Sequence, residues 1–214
     1  MDQKTKKLTV TAMLCALSYV VTAVGRVPIV LFLKYDPKDI VIAIGGFIFG
    51  PLTAFTIAMI VSLAELFTLS ENGILGLMMN VISSCSFACT AAFVYKKRHT
   101  LSGAASGLLC GLGCMVSVML LWNYLVAPIY LGYPRQAVAE LLLPAFLPFN
   151  LIKGGLNAAA TMLLYKPVTA ALRRSHLLET EAAAKSHINT GVLLIPLLIF
   201  ITCVLCILSF HGAL

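Results

Sequence analysis

Charged residues are scarce in this sequence. Of its 214 residues, 11% are Asp, Glu, Lys or Arg and 60% are hydrophobic, and the mean hydropathy is +0.99. Soluble domains are typically about a quarter charged and about half apolar. The scarcity of charge excludes an ordinary soluble protein. Because apolar runs of 18 or more residues recur along the chain, each long enough to cross a bilayer, the sequence predicts an integral membrane protein.

The short motifs of several enzyme classes are also missing. No Gly-Lys dipeptide occurs, which excludes a Walker A loop, and there is no HExxH zinc motif. Cys203 and Cys206 have the CxxC spacing, but no second pair or histidine accompanies them. The seven cysteines all lie in apolar segments and are expected to pack as small side chains. We therefore expect neither catalysis nor a bound metal or cofactor.

The apolar runs predict an all-α bundle of six membrane helices followed by a seventh. Asp36-Pro37 is typical of a helix start, and Gly50-Pro51 is typical of a helix end. The expected organisation is a six-helix domain at 1–172, a polar linker at 173–189 and an additional membrane helix within 190–214. The predicted helices cover 5–25, 38–49, 52–69, 74–95, 101–126, the region from a broken stretch at 128–148 to 172, and 190–210.

Basic residues decide whether the short second helix crosses the membrane. A dozen residues reach about 18 Å at 1.5 Å per residue, which is short for a crossing. If it crosses, ten of the fifteen basic residues share the N-terminal face, as the positive-inside rule favours. The net charge of +7 then reflects topology and not a nucleic-acid partner. We expect a multi-pass protein of the cell membrane with a cytoplasmic N-terminus and an external C-terminus. The ten inner residues are Lys4, Lys6, Lys7, Lys96, Lys97, Arg98, Lys166, Arg173, Arg174 and Lys185, and the outer ones are Arg26, Lys34, Lys38 and Arg135.

The sixth predicted helix carries the most specific polar pattern. Asn150, Lys153 and Asn157 are three and four residues apart, so their side chains share one face. Lys153 would lie roughly 8–14 Å below the outer end of the helix. A lysine at that depth costs about 2–3 kcal/mol on insertion scales, so it should face a polar cavity or a partner. The alternatives are a pair with an acid such as Glu65, or a side chain that reaches the surface.

Other polar residues are candidates for the same pocket. Glu65 could line it, pair with Lys153 or reach the headgroups, and Asn80 could line it or join two helices by a hydrogen bond. Asn123 lies among aromatic residues that fit either the interfacial belt or a stacking surface for a planar ligand. Those aromatic residues are Trp122, Tyr124, Tyr130 and Tyr133.

Small residues repeat at a spacing of four on two helices. Such repeats let helix backbones approach closely in lipid. Gly103, Gly107 and Gly111 on the fifth helix are expected to pack inside the bundle. Ala12 and Ala16 lie on the first helix, at the edge, where a partner protein could use them.

Four stretches together resemble the S components of energy-coupling factor (ECF) transporters, and among these the riboflavin-binding type. They span residues 1 to about 172, and the stretch on the sixth helix is the most specific. The four stretches are Ala12 with Ala16, LKYDPKDI at 33–40, NGILGLMMN at 72–80 and PFNLIKG at 148–154.

The resemblance implies a six-helix bundle that binds a vitamin near its outer face, with the loop after helix 1 as a lid. It implies that Ala12 and Ala16 face an EcfT-like transmembrane subunit and that two ECF ATPases power release. The isoalloxazine edge of riboflavin would be bound by Asn123, Asn150 and Lys153. This fits the chemistry, since amides can read a neutral, uracil-like edge. The residues expected around the rest of the ligand are Asn80, Asp36, Asp39, Tyr124 and Glu65.

Other functions stay open on the sequence alone. FMN is a further possible ligand, and pantothenate, thiamin or a niacin-like acid would suit other S components. A membrane scaffold without a ligand is an alternative of another class. The helix at 190–210 lies outside the six-helix pattern, and packing on lipid or on another subunit are the two roles that the sequence suggests for it.

Overall fold

The computed structural model describes residues 2–30, 33–69, 73–175, 177 and 190–210. Within these residues the chain is helical apart from one small two-stranded sheet and short connections. The elements in chain order are α1 (Gln3–Gly25), β1 (Val27–Val30), β2 (Leu33–Tyr35), α2 (Lys38–Phe49), α3 (Pro51–Thr68), α4 (Gly73–Ser84), a π-helical turn (Cys85–Cys89), α5 (Thr90–Lys97), α6 (Leu101–Leu131), α7 (Arg135–Leu141), a second π-helical turn (Leu142–Phe146), α8 (Leu147–Arg174) and α9 (Thr190–Phe210).

Membrane-spanning length is reached by several of these elements. Among the described residues, five helical stretches are long and apolar enough to cross a bilayer. The 12 residues of α2 and the apolar part of α9, Leu194–Ser209, are shorter. The protein is an all-α integral membrane protein, as the sequence predicts. The five stretches are Gln3–Gly25, Pro51–Thr68, Gly73–Lys97, Leu101–Ile129 and Arg135–Arg174.

The connection between α1 and α2 forms a β-hairpin, where the sequence predicts only a loop. Its strands are antiparallel, with Val27 opposite Tyr35. Ile29, Leu33 and Tyr35 are buried on one side, because alternate residues of a strand share a face. This buried face packs against α6, the α7 region and α8, so the hairpin closes over one end of the bundle. Its buried neighbours are Ala127, Val138, Phe146, Phe149 and Leu156.

Helix α2 is the central helix of the bundle. Every residue from Lys38 to Phe47 is buried, and a helix that is apolar on all sides is typical of such a position. Two adjacent glycines allow its neighbours to approach. A Cβ on Gly45 would lie 2.6 Å from Cδ1 of Ile57, and one on Gly46 would lie 2.8 Å from Cβ of Ala92. The bounds of α2 are those predicted from sequence.

The two ends of the bundle differ in charge. Nζ of Lys7 lies 5.8 Å from the ring centroid of Phe49, so α1 begins where α2 ends. Near that point the ring of Phe47 lies 4.5 Å from that of Tyr95 and 5.5 Å from that of Tyr165. The predicted inner clusters on α1, α5 and α8 therefore gather at one end, here called the basic end, and the hairpin lies at the other, the hairpin end. Helix α2 runs between the two ends, as the charge pattern predicts.

The glycine repeat on α6 packs inside the bundle, as expected. A Cβ on Gly107 would lie 2.6 Å from the carbonyl oxygen of Ala91 in α5. A Cβ on Gly111 would be blocked in the same way by the carbonyl oxygen of Phe87. Glycine is required here because the two backbones are in direct contact.

We expect Gly107→Ala to lower the free energy of unfolding by about 1–3 kcal/mol, because the added methyl group overpacks a rigid backbone. Thermal unfolding in detergent measures the change. Gly113→Ala is the matched control, since a Cβ there meets nothing within 4 Å on the exposed side of α6. The control should be neutral or slightly stabilising, because alanine favours helix more than glycine does. Equal losses in both variants would contradict the packing role.

A π-helical turn separates α4 from α5. It follows directly after Ser83 and Ser84, which are consecutive and both buried. Consecutive residues of a regular helix are about 100° apart and do not normally share a face. π-turns are frequent at functional sites, where they re-aim side chains. Here both hydroxyls reach acidic or basic partners in the interior.

The helical run breaks at residues 132–134, so the prediction of a broken stretch at 128–148 is right about a break and wrong about its extent. Helix α6 continues through Pro128 to Leu131 and ends at Gly132, whose φ of 68° suits glycine. After residues 133 and 134, helix resumes at Arg135 and continues through the second π-helical turn into α8. The turn contains Pro144, whose missing N–H a widened turn accommodates. Proline is therefore a weaker sign of a helix break in this membrane bundle than the sequence suggests.

Helix α9 packs along α8 and does not stand apart in lipid. A Cβ on Gly155 would lie 3.4 Å from Sγ of Cys203. Phe200 packs against the cluster of Ile40, Ile44 and Ala160 and also against the cluster that includes the hairpin. The predicted linker at 173–189 overlaps the end of α8, and its residues 176 and 178–189 lie outside the described part of the chain.

Candidate ligand-binding site

The segment that joins the hairpin to α2 brings four polar residues into the interior. Tyr35, Asp36, Lys38 and Asp39 follow one another within five positions, and each is 8% exposed or less. Pro37 precedes the first turn of α2. Because successive helical residues point about 100° apart, Lys38 and Asp39 reach different neighbours.

Lys38 is fully buried and is held by an acid from α3. Its Nζ lies 2.8 Å and 2.6 Å from the two carboxylate oxygens of Glu65, which is 1% exposed. Asn80 of α4 donates to the same carboxylate at 2.9 Å. Removing one partner of a buried ion pair leaves the other charge uncompensated and is strongly destabilising. The pair therefore fixes the start of α2 against α3 and α4.

Arg26 extends this set to the hairpin. Its Nε lies 2.6 Å from Oδ1 of Asp36, and its Nη1 donates to the carbonyl oxygen of Leu69 at 3.1 Å. Its Nη2 lies 3.5 Å from Oε2 of Glu65. The guanidinium thus joins both ends of the hairpin connection to the end of α3.

Asp36 carries a negative charge at neutral pH. Burial raises the pKa of its carboxyl group, but the positive charges of Lys153, Lys38 and Arg26 lower this pKa by a larger amount. The pKa of Asp36 therefore falls below its ordinary value.

Asp39 is the centre of a second set of contacts. Ser84 donates to its Oδ1 at 2.5 Å, and the amide of Asn157 donates to its Oδ2 at 3.3 Å. Nζ of Lys153 lies 3.8 Å from the same Oδ2 and donates to Oγ of Ser83 at 3.4 Å. Three elements, α2, α4 and α8, therefore meet at one fully buried carboxylate.

The hairpin connects to this second set through Tyr35. Its hydroxyl donates to Oδ1 of Asn157 at 2.8 Å. Burial, together with the negative charges of Asp39 and Asp36, raises the pKa of Tyr35 well above its ordinary value. The phenol therefore stays protonated and remains a donor.

The two buried lysines differ in how well their ammonium groups are satisfied. Lys38 has two short contacts with a carboxylate. Lys153, which is 6% exposed, has one long hydrogen bond and one ion-pair distance beyond hydrogen-bond range among the described residues. An ammonium has three donors, so Lys153 keeps capacity for a further acceptor. Lys38 therefore has a structural role, and ligand binding by Lys153 stays a prediction.

The two predicted amides, Asn150 and Asn123, are both buried. Asn150 is close to Lys153 in sequence, and Asn123 lies on a different helix at the same end of the bundle. Asn150 lies one turn before Lys153 on α8, is 1% exposed, and donates to the carbonyl oxygen of Phe146. Asn123 of α6 is also 1% exposed and donates to the carbonyl oxygen of Met119. Each amide is thus oriented by its own helix.

Tyr124 lies apart from these residues. Its side chain is 37% exposed, and the guanidinium carbon of Arg135 lies 5.6 Å from the ring centroid. Tyr133 is 52% exposed, and the side chain of Tyr130 lies outside the described part of the structure. This placement resembles an interfacial belt, and a contact between Tyr124 and a ligand stays a prediction.

Glu65 and Asn80 occupy supporting positions. Of the three roles that the sequence leaves open for Glu65, pairing with Lys153 and reaching the headgroups are both excluded, because Glu65 is buried and bound to Lys38. Lys38, predicted among the outer basic residues, is 0% exposed, and its burial was not predicted. That Asn80 and Glu65 contact a ligand stays a prediction.

Sequence reasoning missed the roles of Tyr35, Ser83 and Ser84. Their contacts depend on the hairpin and on the π-helical turn, which no local pattern indicates. The pairing of Lys38 could have been predicted from sequence. A lysine and an acid, Glu65, in two consecutive apolar helices each need a polar partner, and each can supply it to the other. By contrast, Ala12 and Ala16 lie exposed on α1, as expected for residues that face a partner.

Arg26, Lys38 and Lys153 balance three acids near the hairpin end. The acids are Asp36, Asp39 and Glu65, so the formal charges of the six groups sum to zero. The arrangement offers an unsaturated ammonium and two oriented amides without an excess of either charge. Such a site suits a neutral ligand that presents carbonyl and N–H groups.

Comparison with known proteins identifies the family to which the chain is similar. The model of the family "ECF transporter, substrate-specific component" matches residues 6–165. Riboflavin transporter RibU of Staphylococcus aureus is 28% identical over 182 residues, which is 80% of this chain and 95% of that protein. Riboflavin transporter FmnP of Bacillus subtilis is 29% identical over 190 residues, which is 81% of this chain and 99% of that protein.

A solved structure, described as "Structure and mechanism of the S component of a bacterial ECF transporter", has the same fold. It aligns with a TM-score of 0.67 at 26% identity and covers 80% of this chain and 99% of its own. The family match contains α1 to most of α8, whereas α9 lies beyond it. The chain therefore belongs to the family of substrate-specific components of ECF transporters.

Proposed function

We propose that this protein binds riboflavin and serves as the riboflavin-specific subunit of an ECF transporter. Two relatives that cover most of the chain are riboflavin transporters by name, and the family consists of substrate-specific components. The observation that carries the proposal is the buried, incompletely satisfied ammonium of Lys153 at the hairpin end. A residue of this kind in a membrane helix needs a polar partner.

The charge balance of the site favours riboflavin over an acidic vitamin. Because the six charged groups cancel, an anionic ligand would meet no net attraction. Riboflavin is neutral near pH 7, and its isoalloxazine edge offers carbonyl oxygens to Lys153 and both donor and acceptor groups to Asn123 and Asn150. The hairpin is the proposed lid, since its buried face covers this end of the bundle.

The proposed working complex contains an EcfT-like transmembrane subunit and two ECF ATPases. Because the basic clusters gather at one end, that end is expected to face the cytoplasm and the hairpin end the outside. The protein captures its ligand and does no chemistry on it. Ile207, late in α9, packs with the hairpin cluster, so α9 would end on the outer side.

Purification tests the proposal directly. The intact protein, isolated from cells grown with riboflavin, should be yellow, with flavin absorbance and strongly quenched flavin fluorescence. Denaturation should release one flavin per chain, and chromatography against riboflavin and FMN standards identifies it. A colourless protein that also fails to bind added riboflavin after refolding would exclude this function, and steep weakening of ligand binding by salt would indicate an anionic vitamin instead.

The partner surface on α1 makes a separate prediction. Ala12→Leu with Ala16→Leu should reduce recovery of the EcfT-like subunit in co-purification by roughly tenfold or more, since 1.4 kcal/mol of lost packing is already a factor of ten. Riboflavin binding by the isolated protein should not change, because both alanines are exposed. Gly113→Leu adds similar bulk to the exposed side of α6 and should leave recovery unchanged. If the Ala12→Leu, Ala16→Leu protein recovers the EcfT-like subunit as well as Gly113→Leu does, α1 is not part of the interface.

A further inference from the structure

A chain of four side chains links the hairpin to the lysine of the site. Tyr35 of β2 donates to Asn157 of α8 at 2.8 Å, and Asn157 donates to Asp39 of α2 at 3.3 Å. Asp39 then faces Nζ of Lys153 at 3.8 Å. All four side chains are buried, with Asp39 and Asn157 at 0% exposure. The hairpin therefore contacts the ligand-binding lysine through two intermediaries.

The direction of these hydrogen bonds is fixed by chemistry. An ionised carboxylate only accepts hydrogen bonds, so Asp39 requires the NH₂ group of Asn157. The amide oxygen must then point away, toward Tyr35, whose phenol supplies the proton. A rotated amide would place its oxygen against the carboxylate and lose this bond. Each group in the chain thus determines the orientation of the next.

Asp39 is also held from a second side. Ser84 donates to its other oxygen at 2.5 Å, immediately before the π-helical turn. Asn157 and Ser84 together hold the carboxylate in place from α8 and α4. The carboxylate is consequently well placed to hold the ammonium of Lys153 without saturating it.

We propose that Asp39 and Asn157 are positioning residues that couple docking of the hairpin, through Tyr35, to the position of the Lys153 ammonium. This inference rests on the proposed riboflavin-binding function and deepens it. When the hairpin lifts, Asn157 loses the hydroxyl that orients its amide. Asp39, still held by Ser84, then loses a fixed donor on the side that faces Lys153. A bound ligand that holds Lys153 in place would in turn favour the docked hairpin, as reciprocal coupling between two sites requires.

Tyr35→Phe is the mildest test, because it removes one hydroxyl and keeps the ring in the hairpin cluster. We expect riboflavin to dissociate about 3- to 10-fold faster, as for the loss of one buried hydrogen bond. Stopped-flow recovery of flavin fluorescence measures the rate. Tyr19→Phe is the matched control, since its hydroxyl bonds Thr68 between α1 and α3 at an exposed position and is not part of this chain of side chains. An unchanged rate in Tyr35→Phe would overturn the inference.

A double-mutant cycle separates positioning from simple stabilisation. If Tyr35 acts through Lys153, Tyr35→Phe should change the riboflavin Kd in the wild-type background but hardly at all in Lys153→Met. Independent contributions would instead add in the double variant, and additivity would contradict the coupling. A second cycle with Asn157→Leu should likewise abolish the effect of Tyr35→Phe.

The outcomes distinguish this inference from the proposed function. Wild-type protein that binds no riboflavin would contradict both. Wild-type protein that binds riboflavin, with additive cycles, would retain the function and exclude the coupling. Thermal unfolding of each variant accompanies the titrations, and a Tyr35→Phe melting temperature within the shift shown by Tyr19→Phe confirms that the kinetic change is not global destabilisation.

Discussion

Replacing Lys38 by methionine should destabilise the protein by about 3–5 kcal/mol, because it leaves the carboxylate of Glu65 buried without a cation. Both residues are essentially unexposed, so neither water nor lipid headgroups can replace the lost contact. Arg26 lies 3.5 Å from Glu65 but is already bound to Asp36, so it compensates little. Thermal unfolding in detergent should show a large drop, together with poor membrane yield.

The double variant Lys38→Met with Glu65→Met is the decisive control. Removing both partners removes the uncompensated charge, and well-packed apolar replacements of buried ion pairs are often neutral or stabilising. Most of the stability lost in Lys38→Met should therefore return, although Asn80 loses its acceptor. A double variant as unstable as the single one would mean that the lysine stem or α2 packing, and not the charge, matters at this position.

The helices could be predicted because lipid imposes strict requirements on sequence. Each backbone group must be satisfied within the membrane, so long apolar runs become helices and their ends are marked by charge, glycine or proline. The bounds predicted for the second helix, 38–49, agree with α2. Packing of Gly107 against α5 was predictable for the same reason, since small residues at a spacing of four mark close helix contacts.

The hairpin and the π-helical turns could not be predicted because their stability comes from distant contacts. Four residues of β1 and three of β2 are too short to be identified by alternation. Their burial depends on side chains from α6, α7 and α8, more than 90 residues later. Pro128 and Pro144 are ordinary signals for a break in soluble proteins, but neighbouring membrane helices tolerate them.

The site shows the same division between local and distant information. The spacing of Asn150, Lys153 and Asn157 predicts that they share one face of the helix. The depth of Lys153 in the membrane predicts that its ammonium needs a polar partner. The partner of the lysine is Asp39, more than 100 residues earlier, and not the acid that the sequence suggested. Single-sequence reasoning found that Lys153 needed a partner and missed the same need in Lys38, and the fold decided which pairs formed.

The second large effect is expected from Lys153→Met, which should weaken riboflavin binding by about 1–3 kcal/mol, or roughly 5- to 150-fold in Kd. Methionine keeps the length of the side chain and removes only the ammonium. It also leaves Asp39 without its cation, although Ser84 and Asn157 continue to donate to that carboxylate. Fluorescence-quenching titration of the purified protein measures the change.

Lys97→Met serves as the matched control, since it makes the same chemical change at an exposed position on the basic end. Its riboflavin Kd should equal that of the wild type. The wild-type affinity should vary little with salt, because a neutral ligand and a buried donor are not screened by ions in solution. An unchanged Kd in Lys153→Met would mean that this ammonium serves only to neutralise Asp39, and the ligand would then have to be bound by other groups.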